Sequence, residues 1–220
     1  MDITWAVAIL GAAVTAFGWL VTHILSTSAE NRRQRLISQA EFTKQQLEEL
    51  YGPLAFQLLE GRQTFQTLAE TLGKDHFKDE DVASFSEPEL KAWLFWVDVD
   101  FFPRNEKIKK LLSKKTHLIE GSKVPESYLT FLDHHNSWKI SHERWLQQNV
   151  AYGWHSKINW PDQFEEDVLC TFNELQKRHA ILIGMISETS NLQLYVSRKF
   201  PKLHRKISFK QIDQRTSGHT

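Results

Sequence analysis

The chain has 220 residues, 41% of them hydrophobic and 25% charged, values of an ordinary globular protein rather than a disordered one. Its 27 basic residues balance 27 acidic ones, which argues against a nucleic-acid binder as a whole. The single cysteine, Cys170, excludes an internal disulfide and a cysteine-based metal site, and fits a reducing compartment.

Residues 3 to 25 contain no Asp, Glu, Lys or Arg. A helix of about 23 residues covers roughly 34 Å, enough for a hydrocarbon core of ~30 Å, so this stretch is expected to span a bilayer once. A cleavable signal peptide would start with basic residues and have a shorter apolar run. Here Asp2 precedes a long one, although Ser26-Thr27-Ser28-Ala29 resembles a cleavage site. Arg32, Arg33 and Arg35 follow the span closely, which predicts a single-pass protein of the cell (inner) membrane with its N-terminus outside and its bulk in the cytoplasm. Gly11, Thr15, Gly18 and Thr22 recur at steps of four, three and four, forming a stripe of small residues suited to close helix–helix approach in lipid. His23 reads as an interfacial residue.

Beyond the span, Leu36, Ala40, Thr43, Leu47, Leu50 and Leu54 make a heptad seam, the pattern of a coiled coil. One helix is therefore expected to run from the membrane to about Leu50 as a stalk, with Gln45, Gln46, Glu48 and Glu49 on its solvated face. Tyr51-Gly52-Pro53-Leu54 should break it, because Gly ends helices and Pro suits the first turn of the next. That next helix is expected from Pro53 to Leu72, closed by Gly73. An exposed acidic loop follows, whose carboxylates lack the spacing of a calcium site.

Ser86-Glu87-Pro88-Glu89 is a capping box. The helix it starts, Leu90 to Phe102, is apolar almost all round: Trp93 lies on one side, Phe95, Trp96, Val99 and Phe102 on the other, with Asp98 and Asp100 at the borders. Such a helix needs cover on both sides. It is the centre of a bundle, or packs on a second subunit, or rests on the membrane. Pro103 should end it. Further helices are expected over Asn105 to Ile119, from Pro125 to about Val150, and from Phe164 to about Ile186, while Asn191 to Val196 fits a strand or another helical turn.

The expected fold is all-α: an anchor (1–25), a stalk (26–50), a helical domain of about five helices (51–190) and a basic tail (191–220). His135 and His142, seven residues apart and on one helix face, are the best metal candidates, but no His-Glu-x-x-His or Glu-x-x-His accompanies them. The commoner reading is a pair of hydrogen-bonded core histidines. No Gly-rich phosphate loop or nucleophile elbow occurs, so no cofactor and no hydrolase is indicated. The tail mixes Arg198, Lys199, Lys202, Arg205, Lys206 and Lys210 with Phe200, Leu203, Ile207 and Phe209, which suits a protein partner, anionic lipid or RNA, in that order.

The order of span, arginine turn, stalk, Tyr51-Gly52-Pro53-Leu54 and helical domain resembles small single-span membrane-anchored accessory or effector proteins of bacterial antiphage defence systems. That resemblance implies a non-enzymatic homo-oligomer acting as a membrane effector, pore or scaffold. The Arg198 to His204 spacing is similar to that of helical ribonucleases of prokaryotic defence and toxin systems, which implies a catalytic pair as the alternative, although Pro201 lies between them.

Overall fold

The computed structural model describes residues 3–74 and 79–199. The described residues are all-α, with helices α1 (Ile3–Gln46), α2 (Gly52–Thr71), α3 (Glu87–Trp96), α4 (Phe102–Lys114), α5 (Glu126–Gln148) and α6 (Asp162–Lys199). One helix near the N-terminus is long and apolar enough to cross a membrane. Asn191 to Val196 is helical, as part of α6. Arg198 also falls in α6, whereas His204 and the rest of the tail lie outside the described residues.

Neither expected proline break occurs. A proline at position 53 cannot donate to the carbonyl four residues back, and its ring would collide with it. The backbone answers by widening one turn: Leu47–Tyr51 is a π turn, and the Gly52 N–H reaches the carbonyl of Leu47, five residues back. The same solution precedes Pro103, where Val97–Phe101 is a π turn and the Phe102 N–H reaches Val97. Each proline then sits in the first turn of the following helix. The wide turns change which side chains face inward, so that the neighbours Leu50 and Tyr51 are both buried.

Gln46 is a second correction. Placed on the solvated face by the heptads, it is 1% exposed and donates through Nε2 to the Leu118 carbonyl (3.0 Å) and to Glu120 (2.8 Å). Other punctuation follows the sequence. Gly73 has φ +67° beyond the end of α2, Ser86 and Glu89 form the reciprocal capping box of α3, and Asn149 caps α5 in the left-handed conformation. The Ser86 hydroxyl and backbone N–H hold the Glu89 carboxyl down at about 2.

The chain forms two compact units, one of Thr43–Arg178 and one that joins α1 up to Phe42 with α6 from His179 onward. In the second, α1 buries Ala40 and α6 buries Leu182, while Phe42, Ile181, Ile183 and Met185 remain exposed. The Thr43–Arg178 unit has two apolar clusters. One is centred on Leu50, Leu54, Leu58, Ile108, Phe131 and Phe164, the other on Leu68, Val82, Trp93, Val97 and Trp138.

Candidate functional site

Within the Thr43–Arg178 unit the second π turn places two carboxylates on different partners. Asp100 and Arg104, four residues apart across the turn, form an ion pair, and Glu60 of α2 lies 2.8 Å from the other terminal nitrogen of the same guanidinium. The Gln57 carbonyl and the Thr64 hydroxyl complete its shell at 3.3 and 3.1 Å. Arg104 can lie this close to α2 because residue 61 is glycine.

Asp98, on the other border, accepts a 2.9 Å hydrogen bond from His142 Nε2. That fixes the proton on Nε2 and leaves Nδ1 to accept from the Tyr152 hydroxyl at 2.6 Å. Burial pushes the Tyr152 phenol up to about 12, so the hydroxyl keeps its proton and donates it. His135 has a different carboxylate: its Nε2 donates to Glu106 at 3.1 Å. Hydrogen bonds from Lys139 and then His135 hold Glu106 down at about 2, and burial lowers His135, so the imidazole is neutral and its Nδ1 is buried without a partner. His134 Nδ1 donates to the Ile158 carbonyl at 2.6 Å. His135 and His142 therefore serve separate acceptors, and the described residues contain no group of three or more His, Cys, Asp or Glu side chains arranged to hold a metal.

These contacts, with one from α3, pin the segment between α5 and α6 onto α5. Ser156 donates to the His134 carbonyl at 3.1 Å, and Trp93 Nε1 donates to the Trp154 carbonyl at 2.8 Å. Trp154 itself has φ +66°, a conformation side chains seldom adopt. Packing of its ring on Trp145 and Tyr152, with centroids 5.0 and 5.1 Å away, accompanies that strain.

The pinned segment borders an open cleft of about 530 Å³ between α2, α4, α5 and the start of α6. Aromatic walls come from Phe65, Trp93, Phe101, Trp138 and Trp160, the mouth carries the Arg62–Glu165 ion pair, and Asn105 lies inside. This combination of apolar faces with a few placed polar groups is what small-molecule sites have in common. Sequence reasoning missed Gly61, Arg104, Asn105 and Tyr152. The available signal was the acid-to-base spacing of Asp100 and Arg104 across a proline.

The residues proposed for assembly are distributed unevenly. Trp93 is 1% exposed and faces the interior, and Phe102 packs on Trp138 and His142 at 4.9 and 5.1 Å. Trp96 is half-buried, whereas Phe95 and Val99 are 62% and 60% exposed. Thr15 and Thr22 return their hydroxyls to the carbonyls of Gly11 and Gly18 at 2.8 Å, and nothing lies within 4 Å of the point where a Cβ on either glycine would stand. Of the flanking arginines, Arg32 and Arg35 are exposed and Arg33 is half-buried beside Glu30. No family model, no curated protein and no solved structure matches the chain.

Proposed function

We propose that the protein is a single-pass, self-assembling helical protein of the cell membrane, acting as a scaffold or membrane effector of the antiphage-defence kind. The observation that carries the reading is the exposure of Phe17, Leu20, Ile24 and Leu25 along α1, apolar side chains that water does not favour and lipid does. Along the same helix the threonine hydroxyls of the Gly11, Thr15, Gly18 and Thr22 stripe are already satisfied by its own carbonyls, so close packing against a second copy leaves no donor stranded in lipid. Exposed Phe95 and Val99 in the Thr43–Arg178 unit, and Ile181, Ile183 and Met185 in the other, offer further apolar area for contact between copies. Arg32, Arg33 and Arg35 support an orientation with the bulk in the cytoplasm.

The deciding experiment measures the mass of the full chain extracted from membranes, by light scattering in detergent, alongside carbonate extraction and protease shaving of inverted vesicles. A discrete oligomer that Gly11→Leu with Gly18→Leu reduces to smaller species is the expected result. A monomer at every concentration refutes assembly, release by carbonate refutes the anchor, and protection of the large domain in inverted vesicles refutes the orientation.

A further inference from the structure

We infer that the cleft beside Arg104 is a binding site for a neutral, flat nitrogen heterocycle of the nucleobase class, with the Asn105 amide as its reading group. Asn105 is only 4% exposed, yet its amide makes no hydrogen bond to any described residue. It is not sealed in as Arg104 Nε and Gln57 Oε1 are, so what exposure it has opens on the cleft. A largely buried amide with both its donor and its acceptor unused is costly unless something takes them up.

The walls specify the shape of that partner. Trp93 and Trp138 are buried and stacked on each other at 5.9 Å with their planes 20° apart, so they form a rigid back wall, while the half-buried Phe65, Phe101 and Trp160 present aromatic surface to the cleft. Aromatic faces favour a planar guest, and an amide pairs in two-point fashion with a ring edge that carries a donor beside an acceptor.

The electrostatics specify its charge. Arg62 is paired with Glu165, and both terminal nitrogens of Arg104 are already committed to Glu60, Asp100, Thr64 and the Gln57 carbonyl. Among the described residues that line the cleft, both arginines are thus already paired with carboxylates, which disfavours a phosphate. The cleft is therefore built for a free base or nucleoside and not for a nucleotide, and its volume of about 530 Å³ accommodates either.

The test is equilibrium dialysis of radiolabelled adenine against the detergent-solubilised full chain, with indole as a competitor of similar shape that lacks an adjacent donor and acceptor. Saturable one-to-one binding of adenine is expected, with indole weaker by about tenfold, the size of a lost two-point contact. Asn105→Leu, close in volume, should bring adenine down to the level of indole while leaving the helical circular dichroism unchanged. Photolabelling of the unaltered chain by 8-azidoadenine locates the site even if that variant does not fold: label on peptides carrying Trp138 or Asn159 and Trp160 is expected. No saturable adenine binding, indole binding as tightly as adenine, adenine binding that a folded Asn105→Leu retains, or label elsewhere overturns the assignment.

Discussion

Gly61 is the point on α2 over which the stem of Arg104 passes: a Cβ built there would stand 3.1 Å from Arg104 Cδ and 3.3 Å from Nε. Two effects oppose each other in Gly61→Ala. Removing a helix-interior glycine gains about 1 kcal/mol, and overpacking costs roughly 1–3 kcal/mol. Near-neutrality or a small loss is expected for alanine, and a clear loss of about 2 kcal/mol for Gly61→Val, which adds bulk without alanine's helix preference. Thermal melts of the two variants followed by circular dichroism check the order, and a valine variant as stable as the parent would show that Arg104 moves freely.

Arg104 holds two carboxylates, so its removal acts differently from crowding it. Arg104→Met keeps the stem and leaves Asp100 and Glu60 without the cation they share. Breaking a buried pair costs about 3–5 kcal/mol, and the partial exposure of Glu60 places this case near 3 kcal/mol. A double variant, Arg104→Met with Asp100→Asn, should recover part of the loss because it also removes an unpaired charge. Urea unfolding of the single and double variants measures the recovery, and strict additivity would contradict the pairing.

Among the described residues the hydroxyl of Tyr152 is the only hydrogen-bond partner of His142 Nδ1, so Tyr152→Phe strands a buried acceptor. A cost of about 1–2 kcal/mol is expected. Its location is more informative than its size: amide exchange should accelerate over residues 150–160, which this contact helps to pin, and remain slow in α2. Uniform acceleration would mean that the hydroxyl supports the whole fold rather than the segment.

Much of this fold was legible because its signals are local. Charge-free residues 3–25, the capping box at Ser86 and the turn at Gly73 each depend on a few neighbouring side chains, and each has its place in the structure. Pro53 and Pro103 misled because a proline fixes what its own backbone cannot do, while the choice between ending a helix and widening a turn depends on whether both flanking segments bury apolar faces in the same core. Gln46 misled because its acceptors, Leu118 and Glu120, lie some seventy residues away. The cleft was invisible for the same reason. Gly61, Arg104, Asn105 and Trp160 come from two helices and a loop, and nothing in the spacing of any one segment announces them.

His135 makes the stability of the Thr43–Arg178 unit dependent on acidity. Burial lowers its affinity for a proton, with Glu106 opposing and Lys109 and Lys139 adding to the effect. The unfolded chain, titrating near 6.5, then binds more protons than the folded one, so stability is full above about pH 6.5 and falls as the pH drops toward the lower folded value. Glu106, held at about 2 against an ordinary 4.5, adds a second loss in the window between those values. Melting temperatures at pH 7.5, 6.5 and 5.5 should decline, and His135→Gln should flatten that decline while the loss below pH 4.5 persists. An unchanged slope in the variant would show that His135 titrates normally in the fold.

The first π turn can be tested through the two residues that follow it. A Cβ on Gly52 would stand 2.5 Å from the Leu47 carbonyl oxygen, a backbone atom that cannot swing aside. In the second π turn Phe102 occupies the corresponding place and carries a Cβ, so the demand for glycine comes from the tightness of this particular turn. Gly52→Ala should therefore destabilise by about 1–3 kcal/mol, the usual cost of overpacking, even though alanine is the better helix former. Pro53→Ala restores an N–H that can bond four residues back, which removes the reason for widening the turn. If the proline sets the turn, the double variant can tighten into ordinary α-helix and costs less than the two single changes together. If the burial of Leu50 and Tyr51 sets it, the turn stays wide without the proline and the two costs add. Chemical denaturation of the three variants distinguishes these cases, and the non-additive result is expected, because the same wide turn recurs directly before Pro103.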